Sequence, residues 1–153
     1  MSSPFNLAIT LLSNTEMMTH IHAETSSNRL QIGFYALSIL FNLCLIAQVL
    51  TVGLAYFYKT DWWNIHVLLV RGYSALSLIL LGYVFLFAFP QRVRILTISL
   101  PILLGLQFLT IHLKTSLPIA VFHPLIGFSL LSVSSTLVHR VGRVLFPNLD
   151  QES

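Results

Sequence analysis

Residues 65–89, IHVLLVRGYSALSLILLGYVFLFAF, decide the fold. A helix of roughly 20 apolar residues rises about 30 Å, the thickness of a bilayer's hydrocarbon core. This stretch is longer than that and contains no acidic residue. Three more runs share its character: Ile32 to Phe57, Ile95 to Leu113 and Leu117 to Val138. Only 8% of the chain is charged, too little to cover a water-facing surface. In lipid every backbone polar group must be satisfied within its own segment, so each run reads as a transmembrane helix. Short links such as Lys59-Thr60-Asp61 and Lys114-Thr115-Ser116 restrict neighbouring helices to antiparallel packing. The expected fold is all-α, an integral membrane up-down-up-down four-helix bundle over residues 29–146.

Charge sets the expected orientation. Arg29, Arg92, Arg94, Arg140 and Arg143 fall on the side shared by both termini, against Lys59 and Lys114 opposite. The arginine-rich side is expected to be cytoplasmic, in a bacterial inner membrane. Tyr56, Tyr58, Trp62 and Trp63 surround the first outer link, at headgroup level. The net charge of +3 follows from this asymmetry, and with no long basic run nucleic acid is not an expected partner. The expected partners are the lipid bilayer itself and either a second copy of the chain or a larger membrane complex.

Residues 1–28 are polar and rich in Ser and Thr, apart from Phe5 to Leu12, and lack the basic start of a cleaved signal. They read as a poorly ordered or surface-lying cytoplasmic tail, and residues 147–153 as a second, short polar tail. His20 and His22 make a His-x-His pair without a third ligand nearby in sequence; two solvated histidines is the plainer reading. Cys44, the single cysteine, excludes an intramolecular disulfide and a CxxC pair and reads as a small buried hydrophobe. No internal repeat stands out. All five acids, Glu16, Glu24, Asp61, Asp150 and Glu152, lie outside the apolar runs, so no catalytic residue is nominated.

The histidines carry what chemistry there is. His66 and His123 occupy the second and fourth helices, which run in the same direction, and lie at similar depth beneath the outer surface. A ring in lipid demands a partner, and neutral imidazoles from two helices can ligate one heme iron between them. His66 and His123 are thus the candidate metal ligands, with a b-type heme as the cofactor. Gly127, one turn beyond His123, and Gly72 with Ser77 offer small positions beside a macrocycle, although close helix packing selects small residues too. His112 either meets a heme propionate, joins the two histidines, or caps the third helix. Arg71, some 140° round the helix from His66, either snorkels to the headgroups or meets an anion. Gln48, Gln107 and Asn42 are expected to form interhelical hydrogen bonds, with a quinone contact from either glutamine as the alternative.

Two resemblances rest on these residues. The run from His66 through Arg71, the loop Gln91-Arg92-Val93-Arg94, Leu103-Leu104-Gly105-Leu106-Gln107 and Val121-Phe122-His123-Pro124-Leu125 resembles one four-helix half of the heme A synthase family. That resemblance covers roughly residues 32–138 and implies heme ligation by His66 and His123. Trp63 stands where that family carries an acid, and its outer-loop cysteines are absent, so heme-oxidising activity is not implied. His123-Pro124 also resembles an uncharacterised bacterial family of four-helix membrane proteins, a domain of unknown function in which a His-Pro opens the last helix. The sequence therefore leads to a membrane protein holding one heme b, in electron transfer or heme handling. The alternatives are a cofactor-free structural or accessory subunit of a membrane complex and a small transporter with a histidine proton relay. Pro101 and Pro124 are expected near the first turns of their helices, where proline is tolerated.

Overall fold

The computed structural model describes the backbone of residues 4–113 and 118–146 and the side chains of residues 29–113 and 118–146. Its described residues form four long helices: α1 (Pro4–Phe57), α2 (Trp62–Leu86), α3 (Gln91–His112) and α4 (His123–Leu145), the last preceded by a 3₁₀ turn (Pro118–Phe122). No strand occurs among them. The chain packs as two units, Met1–Gly33 and Phe34–Ser153. In the first unit the backbone is helical from Pro4, through the stretch expected as a tail. The side chains of that stretch, His20 and His22 included, lie outside the described residues, as do residues 147–153.

Each of the four helices is long and apolar enough to cross a membrane, over Arg29–Phe57, Trp62–Leu86, Gln91–His112 and Pro118–Leu145. The last of these runs well past the expected end at Val138, carrying His139, Arg140 and Arg143 on helical turns. α2 stops before Phe89, because Pro90 forces the residues ahead of it out of helical geometry. Pro101 is a correction: it sits in the middle of α3, not near its first turn. There it removes the N–H that would have met the Thr97 carbonyl.

In the second unit the side-chain contacts define antiparallel neighbours. Along α1 and α2, Phe34 lies 6.1 Å from Tyr83, Phe41 5.6 Å from Tyr73 and Tyr56 5.6 Å from Trp63, ring to ring. Along α1 and α4, Tyr35 meets Phe146 and Asn42 meets Ser134 and Ser135. α3 packs against both α2 and α4, while α2 and α4 lie diagonally opposite with no direct backbone packing.

The surface and the interior invert the pattern of a water-soluble bundle. Leu68, Leu78, Phe85, Leu86, Leu125 and Phe128 are all more than half exposed, while Ser38, Thr51, Ser77, Thr97, Thr110 and Ser134 are buried. Hydrocarbon outside and small hydroxylated residues at helix contacts suit a lipid solvent. Ser38, Thr97 and Ser77 return their hydroxyl protons to carbonyls on their own helices, so burying them leaves no unpaired donor.

The buried positions repeat. In α1 and α3 they pair at constant offset as Phe34/Val93, Ser38/Thr97, Phe41/Leu100, Leu45/Leu104 and Thr51/Thr110. In α2 and α4 they pair as Tyr73/Leu130, Ser77/Ser134, Leu80/Leu137 and Val84/Val141. Ala55 alone lacks a described counterpart, since its equivalent falls at residue 114. The second unit is therefore two copies of one helical hairpin, related by a pseudo-twofold axis along the helices. This overturns the reading that the sequence holds no repeat.

Repeat-related substitutions should cost alike. Leu80→Ala and Leu137→Ala, both fully buried, are expected to destabilise the folded chain by comparable amounts, about 2–5 kcal/mol each. Leu68→Ala and Leu125→Ala, on the outer surface, should cost far less. Reversible unfolding in mixed micelles of increasing SDS content measures all four; an inequality of several kcal/mol between Leu80 and Leu137 would contradict the repeat.

Candidate functional site

The repeat extends from packing to chemistry, because Gln48/Gln107 and His66/His123 fall in the same two registers. α1 carries Gln48-x-x-Thr51, which places both side chains on one face of the helix, one turn apart. α2 brings His66 against them. Gln48 Nε2 lies 3.0 Å from His66 Nε2 and also donates to the His66 main-chain carbonyl at 3.1 Å. Thr51 Oγ1 donates to the Gln48 carbonyl at 2.7 Å and lies 3.1 Å from His66 Nδ1, which is itself 3.3 Å from that carbonyl.

α3 and α4 reproduce the arrangement. Gln107 Nε2 is 3.0 Å from His123 Nε2, Thr110 Oγ1 donates to the Gln107 carbonyl at 2.8 Å, and His123 Nδ1 is 3.1 Å from Thr110 Oγ1 and 3.2 Å from the carbonyl. The contacts fit one tautomer in both places. The threonine proton is spent on the carbonyl, so Nδ1 must carry the hydrogen shared with threonine and carbonyl. An amide nitrogen can only donate, so Nε2 presents its lone pair. Each imidazole is thus neutral, with its basic nitrogen aimed at a glutamine amide.

One atom of each cluster stays unmatched. The Oε1 atoms of Gln48 and Gln107 are buried without a hydrogen-bond partner. An unpaired buried amide oxygen costs on the order of 1–3 kcal/mol. The cost recurs in both halves, which makes it a property of the repeated unit.

The remaining sequence candidates lie elsewhere. His112 is exposed and donates from Nδ1 to the Phe108 carbonyl of its own helix at 2.8 Å. Arg71 is exposed on the outer face of α2, where its repeat partner is Phe128. Gly127 touches the cluster through Gln107: a Cβ there would stand 3.2 Å from the amide nitrogen. Its small size makes room for the glutamine. Gly72 opens onto free space, Ser77 is buried in the helix packing, and Cys44 is a half-buried free thiol. Among the described residues no three His, Cys, Asp or Glu side chains group as a metal site. Trp63 packs edge-on to the His66 ring at 5.5 Å.

A family model described as a family of unknown function (DUF6220) matches residues 48–114. The match begins at Gln48 and includes Thr51, His66, Gln107 and Thr110. It covers less than half of the chain and ends before His123-Pro124, so that motif falls outside it. No curated protein and no solved structure matches the chain, and no heme A synthase is among the comparisons.

Thr51 and Thr110 are site residues that sequence reasoning missed. The signal was present as Gln-x-x-Thr, once in each of two apolar runs, each followed by a histidine near the start of the next. The interhelical bonding expected of Gln48, Gln107 and Asn42 is found for all three.

The clasps allow a direct test. Gln48→Leu leaves His66 Nε2 without a donor and should cost about 1–2 kcal/mol, as should Gln107→Leu at His123. Converting both partners, in Gln48→Leu with His66→Leu, should recover most of that loss, because matched apolar groups leave nothing unpaired. Unfolding free energies of the single and double variants form the cycle; strict additivity would mean that the pair is not coupled.

Proposed function

We propose that the chain is an integral membrane up-down-up-down four-helix bundle with both termini cytoplasmic, binding one b-type heme between α2 and α4 through His66 and His123. The single observation that carries the reading is the duplicated setting of the two imidazoles. In each, Nδ1–H is held by a backbone carbonyl and a threonine hydroxyl of the neighbouring helix, and Nε2 is the basic nitrogen. That is how a metal-ligating histidine is prepared: the bond at one nitrogen fixes the tautomer and ring plane and raises the basicity of the other. The pseudo-twofold axis adds a constraint on the ligand. That axis relates the two histidines, so His66 and His123 would hold the group as equivalent ligands from the two diagonal helices.

When bound, the heme supplies reversible one-electron transfer. The chain's own part is to present Nε2 twice at one depth, to keep the Nδ1 protons at the Gln48 and Gln107 carbonyls, and to exclude water with the surrounding apolar helices. Gln48 and Gln107, which contact Nε2 at 3.0 Å, would give up those contacts where His66 and His123 hold the group. Their unpaired oxygens mean that these side chains are held by only part of their bonding capacity.

A second reading has an observation of its own. Gln48 and Gln107 already satisfy Nε2, so the clusters also work as interhelical clasps in a cofactor-free structural or accessory subunit of a membrane complex. A visible spectrum separates the two. Detergent-purified protein from heme-replete cells, reduced with dithionite, is expected to show sharp α and Soret bands that are lost in both His66→Ala and His123→Ala. A featureless spectrum that hemin does not restore would end the heme reading; the subunit reading then requires colourless protein that co-purifies with a defined partner.

A further inference from the structure

Arg71 is the only arginine, lysine or acid in α2, and it lies within one helical turn of the middle of that helix. Its Cα is about 14 Å along the axis from Trp62. Its side chain is exposed on the outward face, between Leu68 and Ala75, which are exposed as well. Among the described residues the guanidinium has no hydrogen-bond or ionic partner, while the Arg71 main-chain carbonyl takes the Ser74 hydroxyl at 2.9 Å. A helix that crosses a membrane thus holds a full charge against hydrocarbon. Such a charge is rare there and is met by an opposite charge or a polar cavity.

Closing the hairpin does not account for it. α4 carries Phe128 at the same register, and Ser129 and His139 where α2 has Gly72 and Gly82, yet it packs through the same buried positions. The arginine therefore answers something outside the packing of the bundle. The spans of this chain cannot supply the opposite charge, because Glu16, Glu24, Asp61, Asp150 and Glu152 all lie outside them. Asp61, the nearest of these in sequence, is about 15 Å away along the helix direction. A second copy fails in the same way. Its spans hold no acid either, and a twofold pairing of α2 with α2 would bring Arg71 against Arg71 at one depth.

The residues beside Arg71 favour a protein over a lipid. A fluid acyl chain fills any surface and gives no reason for small side chains, whereas the close approach of another helix backbone requires them. Ala75 and Gly82 follow Arg71 at spacings that keep them on its face. A Cβ at Gly72 or Gly82 would meet nothing within 4 Å, while in α4 Gly127 and Gly142 are covered by Gln107 and Tyr35. Gly53 and Gly105 are open too, but no charged residue lies within one turn of either. We propose that the outward face of α2 docks a transmembrane helix of a partner protein, one that presents an Asp or Glu carboxylate to Arg71 at mid-membrane depth. The guanidinium fork takes both carboxylate oxygens, and the partner's backbone lies close over Ala75 and Gly82. Each charge thereby offsets the other where lipid penalises both. The inference rests on the four helices crossing a membrane, as proposed above, and not on heme.

Energy transfer in dioleoyl phosphatidylcholine vesicles tests it, between the full chain, labelled with a donor at its C-terminus, and acceptor-labelled polyleucine peptides of about 24 residues. The peptides carry Glu, Gln or Leu at their central position. Resistance of the chain to carbonate extraction is measured first; a chain stripped from the vesicles would overturn the membrane reading and this docking site with it. The Glu peptide should associate about fivefold more tightly than the Leu peptide, with the Gln peptide closer to Leu. Arg71→Leu should abolish that preference and Arg71→Lys should keep most of it. Ala75→Leu with Gly82→Leu should weaken the Glu peptide about threefold by holding the helices apart. These variants change outward-facing groups, and unfolding in mixed micelles confirms that they remain folded. Equal association of the Glu and Leu peptides, or a Glu preference that survives Arg71→Leu, would overturn the proposal. Loss of the preference on adding dioleoyl phosphatidylglycerol would overturn it in favour of a lipid phosphate. Energy transfer between two labelled copies of the chain that Arg71→Leu removes would overturn it in favour of a second copy.

Discussion

A neutral imidazole buried between helices must place one proton and one lone pair, and the rest of this structure is arranged around doing so twice. A main-chain carbonyl whose own helical bond is already made accepts the Nδ1–H of His66, and a threonine one turn further along the helix braces the same proton. The glutamine whose carbonyl this is then returns its side chain to Nε2. Three consecutive demands are thus met by two residues at helical spacing. In a membrane the net worth of such a bond is modest, about 0.6 kcal/mol on average. Its larger effect is on register: sliding α1 by one residue against α2 would turn Gln48 and Thr51 away from the ring.

The clasp fixes how each hairpin closes, and the hairpin appears twice. Because α1 corresponds to α3 and α2 to α4, the bundle is a ring in which every contact between neighbours is one of two kinds. One kind carries a Gln-Thr-His clasp; the other, between hairpins, carries Asn42 against Ser134 and Ser135 on one side only. The histidine-bearing helices are necessarily the diagonal pair. They do not pack backbone to backbone, so the space between them is set by side chains alone, Gln48 and Gln107 among them.

The spans were legible because lipid imposes a length and a composition that survive in any apolar run. Their ends were less so. The start of α3 at Gln91 put Pro101 mid-helix, and the length of α4 beyond Val138 was hidden by His139, Arg140 and Arg143, which a hydropathy reading treats as outside. His66 and His123 were legible as the residues that lipid penalises. Their partners were visible only as polar residues needing some hydrogen bond, since sequence does not say which side of α1 faces α2. The repeat was hidden for a physical reason. Its conserved content is burial and hydroxyl chemistry, which Phe34/Val93, Ser38/Thr97 and Tyr73/Leu130 satisfy without identity, and a shorter link in the second hairpin shifts the register between helices. Read as letters the halves differ; read as positions that must be small, hydroxylated or buried, they agree.

Where the halves disagree is therefore informative in a way that disagreement between unrelated helices is not. Each hairpin is a control for the other: a residue needed to close a hairpin should have a counterpart, and one that lacks it answers a demand local to its own half. The clasp residues pass this test as parts of the common unit. Arg71, matched by Phe128, does not, and its exposed position on α2 agrees with a side chain that contributes nothing to closing the hairpin. His112, matched by Gly53, is similarly private to α3 and spends its proton on its own helix end. Asn42, His139 and Arg143 also lack counterparts, but unlike those two they converge on one groove, with Gly142 opening the space between them. Departures from a repeat scattered over a surface are what drift in lipid-facing positions produces. Departures that gather around a single concavity mark the place where the two hairpins are packed differently, here with the Tyr35 ring over Gly142 and Asn42 bonded to Ser134 and Ser135.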